Sequence, residues 1–182
     1  MQPLYDWLRS RIATLNSAGL TIFIRQELPR RLAEAWCRAY AANSPDSEIV
    51  AVDQSTFTYL FDIAQERNIA AYGIMGGRNL TVRDHARMAG FPKAEGQEYH
   101  RGHMIPHSGH GGTDINVFIQ RGSVNIGPFR PLERLAVAQP GSFYFVHLML
   151  PPGSSTQRPS FVEQGLVLNT TPASFELRSF PN

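Results

Sequence analysis

Between Tyr99 and Glu133 the chain reads YHRGHMIPHSGHGGTDINVFIQRGSVNIGPFRPLE, which gathers Arg101, His103, Asn116, Gln120, Asn125 and Glu133 into one short segment. These are the side chains needed to hydrolyse a phosphodiester around a single metal ion. A histidine that is neutral near pH 7 can take a proton from an attacking water. An amide oxygen suits a hard cation that keeps most of its own water. A carboxylate can hold that water shell, and a guanidinium can steady phosphate charge.

Elements must hold these groups together, and the spacing suggests a strand, a loop and a helix. EYHRGHMIP can be extended, SGHGGTD is a glycine-rich loop, and the stretch from about Asn125 to Ala138 can turn helical, so that strand and helix clasp one ion. Pro128 and Pro131 cannot donate backbone hydrogen bonds, which puts the regular part of that helix after Pro131.

In this pattern the segment resembles the DNA/RNA non-specific endonucleases, the His-Me finger or ββα-metal nucleases, and more closely the versions found as toxin domains of bacterial polymorphic toxins. The family's arginine-glycine-histidine signature matches Arg101, Gly102 and His103; the family usually has an aspartate just before it, where this chain has His100. The pattern that follows, an asparagine, a glutamine, asparagine-x-glycine and leucine-glutamate, matches Asn116, Gln120, Asn125 with Gly127, and Leu132 with Glu133 in the same order. The ordered match covers about a fifth of the chain, with several identities in register at once. The late segments SFYFVHLML and SFELRSFPN also look like the hydrophobic tail of such toxin domains.

The resemblance implies that His103 is the general base and that Asn125 is the direct protein ligand of Mg²⁺ or another divalent cation such as Mn²⁺. It implies that Glu133 holds the metal's water shell and that Arg101 stabilises charge on the phosphate. Asn116, Gln120 and His100 are then structural or substrate-supporting, with Asn116 and Gln120 read as amides that pin the loop. Arg121, Arg130 and Arg134 are candidates for phosphate contacts. Because water, and not a ribose 2′-OH, would be the nucleophile, such a site can cut DNA and RNA alike. The family context further implies a toxin effector, a cognate immunity protein in the producing cell, and delivery by a specialised secretion system to a target-cell cytoplasm.

Other readings of the same residues are weaker. His107 and His110 could join a zinc or iron site, but no HxxE or HExxH spacing accompanies them. A cupin needs an HxH pair with a glutamate a few residues on, and HRGH is followed by Met104, Ile105 and Pro106. His85 and His147 read as ordinary surface or core residues. Gly111, Gly112 and Gly127 supply turn geometry, and Asp114 is as well a loop residue as a ligand. A non-enzymatic alternative remains: an inactive nuclease-like module that binds nucleic acid or a protein partner.

The remaining sequence must build the frame. At 182 residues, with 42% hydrophobic and 18% charged, the chain suits one soluble domain with its own core. Fifteen Gly and thirteen Pro indicate many turns and mixed structure. The apolar stripe of Leu4, Trp7, Leu8, Ile12 and Leu15 predicts a helix over 3–16, followed by a short buried strand in LTIFI. Leu32, Trp36, Ala39 and Tyr40 predict a second helix from Pro29 to about Ala42. EIVAVD at 48–53 reads as a strand, STFTYLFDIAQER at 55–67 as a third amphipathic helix, and IAAYGIM at 69–75 as another strand. A short helix is possible at TVRDHARMAG. Three strands are expected at 142–150, 161–169 and 174–180.

The expected fold is therefore a single α+β domain over 1–182, with N-terminal helices, a ββα-metal core and C-terminal antiparallel strands. Residues 1–70 form a helical and mixed part of unknown role, and residues 71–182 form the nuclease core. Cys37, in AEAWCRAY, reads as an inert core thiol and excludes an intramolecular disulfide. No signal peptide or membrane span is apparent, so synthesis in the cytoplasm is expected. The net charge is +2, but residues 71–137 hold seven Arg and one Lys against five acids. Sixteen of the seventeen basic residues are Arg, a bias that suits phosphate contacts and that genomic base composition can equally produce.

Overall fold

In β6 (Phe143–Met149) successive side chains enter two different cores: Phe143 and Phe145 join one, Tyr144, Val146 and Leu148 the other. A strand whose two faces are both covered must lie in a middle layer. The computed structural model, which describes residues 3–82, 96–112 and 114–182, has that layered build in one α+β domain.

The middle layer is a six-stranded antiparallel sheet in the order β1-β2-β3-β6-β7-β8. Its strands are β1 (Ile49–Gln54), β2 (Phe57–Asp62), β3 (Arg67–Ile74), β6, β7 (Phe161–Leu168) and β8 (Ser174–Pro181). One face is covered by α1 (Asp6–Ile12), α2 (Ser17–Ile22) and α3 (Leu28–Ala41), through a core that includes Leu8, Ile24, Leu32, Trp36, Phe143 and Phe145. The other face carries a separate two-stranded sheet, β4 (Tyr99–His103) with β5 (Val117–Arg121), followed by α4 (Gly122–Ile126) and α5 (Arg130–Ala138). Phe118, Val124, Phe129, Leu132 and Ala136 from this unit meet Tyr59, Tyr144, Val146 and Leu166 of the large sheet in the second core.

Four expectations from sequence change. The helix expected over 3–16 is shorter, with a 3₁₀ turn at Pro3–Tyr5 leading into Asp6–Ile12. Asn16 ends that run by starting the next: its side chain accepts from the Gly19 amide at 2.8 Å, an N-cap. LTIFI is consequently helical, with Leu20 in α2 and Phe23 and Ile24 in the wide turn Phe23–Glu27 that leads into α3. Leu20, Phe23 and Ile24 enter the first core as helix residues, and Ile22 is exposed.

Residues 55–67 are not a helix. Phe57–Asp62 forms β2, which pairs with β1 around a tight turn in which Ser55 has φ 60, and with β3 on its other side. Phe57 and Tyr59 enter the second core and Leu60 the first, and a register irregularity falls between Leu60 and Phe61. Burial on both faces plus that irregularity removes the alternation by which a strand is read. The segment TVRDHARMAG beyond Val82, with His85, lies outside the described residues.

Within 99–138 the order is strand, loop, strand, helix, helix. VFIQR, unassigned by spacing, is β5. The single helix expected from Asn125 onward is two helices, with Pro128 between them and Pro131 in the first turn of α5. Asn125 and Glu133 therefore stand on different helices.

Candidate functional site

β4 and β5 are antiparallel, with His100 opposite Gln120, Gly102 opposite Phe118 and His103 opposite Val117. The period of two puts His100 and Gly102 on one face of β4 and Arg101 and His103 on the other. Gln120 is fully buried and its side chain lies across Gly102, where a Cβ would come within 2.7 Å of the Gln120 Cβ. That close approach explains the glycine between Arg101 and His103.

The loop after β4 is held by Asn116, also fully buried. Its Oδ1 accepts from the Ile105 amide at 2.7 Å, and its Nδ2 donates to the carbonyls of Ile105 at 2.7 Å and Gly112 at 2.8 Å. Gly111 lies against Ile105 and the Asn116 amide, with no room for a Cβ. From outside the hairpin, Asn79 donates to the His107 carbonyl at 3.1 Å, and Asn68 donates to the Val117 carbonyl at 3.1 Å. The C-terminal Asn182 secures β5, accepting from the Arg121 amide at 2.7 Å and donating to the Ile119 carbonyl at 2.9 Å.

On this frame the functional candidates take distinct positions. His103 closes β4 and is 8% exposed, while Arg101 is half-buried. Asn125, half-buried on α4, places its Nδ2 3.5 Å from Nδ1 of His100. The ring of His100 also lies over Gly122, where a Cβ would meet Nε2 at 2.7 Å. One histidine of the motif segment, His100, is thus in contact with both Asn125 and the start of α4.

Glu133 is half-buried on α5. Its carboxylate acts on the wholly buried Tyr144 hydroxyl: burial first, then the Glu133 charge, push that hydroxyl well above the ordinary tyrosine range, and the hydrogen bond from Gln164 partly offsets them. Burial likewise raises Tyr59, to about 12, against a lowering contribution from the Gly112 backbone.

Among the expected phosphate contacts, Arg130 and Arg134 are exposed on α5. Arg121 stands 3.6 Å from Glu98 and 5.8 Å from the Tyr99 ring. Arg158, which spacing did not single out, lies over the same ring at 4.9 Å. His110 is exposed with φ 73, and among the described residues no group of three or more His, Cys, Asp or Glu converges in a metal-holding arrangement. No helix of the described residues is long and apolar enough to cross a membrane.

Sequence reasoning missed a second polar cluster, on the helical side of the sheet. Glu163 is fully buried; its Oε2 accepts from Tyr5 Oη at 2.7 Å and lies 2.8 Å from Nδ1 of His147. Trp36 donates to Tyr5 Oη at 3.1 Å and stacks on His147 with 5.2 Å between ring centroids. The available signal was one histidine in an otherwise apolar strand and one glutamate, beside Gln164, in a mostly apolar one.

No known family model matches this chain, and no curated protein is a significant match to it.

Proposed function

We propose that this chain is a divalent-metal-dependent endonuclease that hydrolyses DNA and/or RNA without sequence preference. The observation that supports it is the interlocking of the motif. Gly102 makes room for Gln120, and Asn116 braces the loop after His103. The residues between the proposed chemical groups thus hold one hairpin in shape, and Asn125 on α4 and Glu133 on α5 follow it in the chain.

In this reading His103 takes the proton of a water, whose oxygen forms a bond to phosphorus as the bond to the 3′ oxygen breaks. Arg101 steadies the charge that gathers on the phosphate oxygens. The donor chemistry at Asn125 fits a divalent cation: a solvent-reached amide, with an imidazole nitrogen beside it and a carboxylate on the next helix. When bound, Mg²⁺ or Mn²⁺ supplies positive charge to the pentacovalent phosphorus and the departing oxygen. Arg121, Arg130 and Arg134 are proposed to contact the polymer backbone, with His100, Asn116 and Gln120 in support.

The role as a bacterial toxin effector, with an immunity partner and delivery into a target-cell cytoplasm, is supported by the motif resemblance alone. The test is to incubate the chain with supercoiled plasmid and structured RNA, in Mg²⁺ or EDTA, beside His103→Ala and Asn125→Ala. Metal-dependent cutting lost in both variants supports the reading. Intact polymers across several divalent metals would overturn it.

The low exposure of His103, 8%, favours one second reading, a nuclease-like module that binds without cutting. Retained nucleic-acid binding with no cleavage in any metal would select it.

A further inference from the structure

We infer that His100 is a nitrogen ligand of the metal, paired with Asn125, and that the site accordingly prefers a borderline first-row ion such as Ni²⁺ or Co²⁺ to Mg²⁺. This rests on the reading of Asn125 as the metal ligand and adds to it the identity of a second ligand and the class of ion.

The side chains of His100 and Asn125 meet at 3.5 Å, through Nδ1 and Nδ2. That separation is at the far limit of a hydrogen bond, so little is lost in giving it up. Half a turn of the Asn125 amide exchanges Nδ2 for Oδ1 and turns two lone pairs toward the same opening. Without an ion those lone pairs repel, and the N–H···N arrangement is the one adopted. With an ion, two donors at bond lengths of about 2.1 Å and at right angles stand about 3 Å apart, close to the separation already present.

The pair is also built for access and for orientation. His100 is exposed and Asn125 half-buried, so an ion and its waters can reach both. Gly122 leaves no room for a Cβ beneath the imidazole, so the ring packs directly on the first residue of α4 while its other nitrogen faces Asn125. An aspartate at position 100 would offer only hard oxygen. An imidazole favours later first-row ions, for which affinity rises from Mn²⁺ to Ni²⁺.

The experiment is direct metal binding to the EDTA-treated full chain. Calorimetric titration with Ni²⁺ and Mg²⁺ should show Ni²⁺ bound at least tenfold more tightly. His100→Asp should weaken Ni²⁺ at least tenfold and leave Mg²⁺ equal or tighter, Asn125→Ala should weaken both, and His110→Ala should change neither. Pulsed electron paramagnetic resonance of the Mn²⁺-loaded chain should show imidazole nitrogen coupling that vanishes in His100→Asp and persists in His110→Ala. Equal affinities for the two ions, Ni²⁺ binding unmoved by His100→Asp, or no nitrogen coupling each overturns the inference. Plasmid cleavage separates the two readings. Cutting that needs Asn125 but shows no nitrogen coupling leaves the nuclease and removes the His100 ligand. Ni²⁺ bound through His100, with no cutting in any metal, does the reverse.

Discussion

The Gln120 side chain lies across Gly102, so the hairpin that carries Arg101 and His103 is closed by a residue on the opposite strand. Gly102→Ala is expected to cost about 1 to 3 kcal/mol through overpacking, because the buried Gln120 cannot swing into solvent. Urea unfolding should show the loss, and Gln120→Ala combined with Gly102→Ala should recover part of it. Full stability in the single variant would mean that Gln120 is free to move off Gly102.

Asn116 braces the loop through three hydrogen bonds to backbone. Asn116→Ala leaves the Ile105 amide and carbonyl buried without that partner, at a cost of about 2 kcal/mol. Asn116→Asp should be at least as damaging near neutral pH, since a carboxylate oxygen would face two carbonyl oxygens that now receive Nδ2. Chemical denaturation of both variants at two pH values tests the order, and the aspartate variant should regain stability as its carboxyl protonates.

Glu163 receives Tyr5 Oη and lies beside His147 Nδ1 with no exposure of its own. Glu163→Ala strands both partners in the helix-facing core and is expected to cost about 3 kcal/mol or more. For a domain of this size that is roughly 2 to 4 °C of melting temperature per kcal/mol. Tyr5→Phe, which removes the hydroxyl that donates to Glu163 and accepts from Trp36 but leaves Glu163 beside His147, should cost less. A melting temperature unchanged in Glu163→Ala would show that the cluster does not tie the helices to the sheet.

Five tyrosines, Tyr5, Tyr40, Tyr59, Tyr72 and Tyr144, are held above the ordinary tyrosine pKa, in each case with burial as the largest cause. A group raised in the folded state contributes stability that is complete below its unfolded pKa, near 10, and is lost as pH rises beyond it. Stability should therefore fall steeply above about pH 10. Absorbance of tyrosinate should rise together with loss of far-ultraviolet circular dichroism. Ionisation of all six tyrosines near pH 10 in a folded chain would contradict this burial.

For the proposed chemistry, His103→Ala should lower cleavage by about 100-fold or more. Metal removal by EDTA should abolish cleavage and leave the circular dichroism unchanged, because both hydrophobic cores are built from side chains alone. Rates on plasmid and RNA, with spectra of the same samples, test both expectations.

Much of the frame was legible because its signals are local. Leu32, Trp36 and Tyr40 of the expected stripe are buried on α3, where Leu28 joins them and Ala39 is exposed. The strands near 49–54, 67–74, 143–149, 161–168 and 174–181 follow the apolar runs and turn residues. LTIFI and STFTYLF failed for the same physical reason. A short apolar run has too few residues to show either period, and an N-cap at Asn16 or a tight turn at Ser55 decides the outcome.

By itself the sequence determined which chemical groups this protein has and their order: Arg101, His103, Asn125 and Glu133, in a segment whose glycines and amides permit a tight hairpin. Only the tertiary structure decided which of them meet. His100 meets Asn125, and Glu163 is joined to a tyrosine 158 positions away. Such contacts depend on strand register, the break between two helices and the stacking of layers. These are set by burial summed over the whole chain, and no local spacing encodes them.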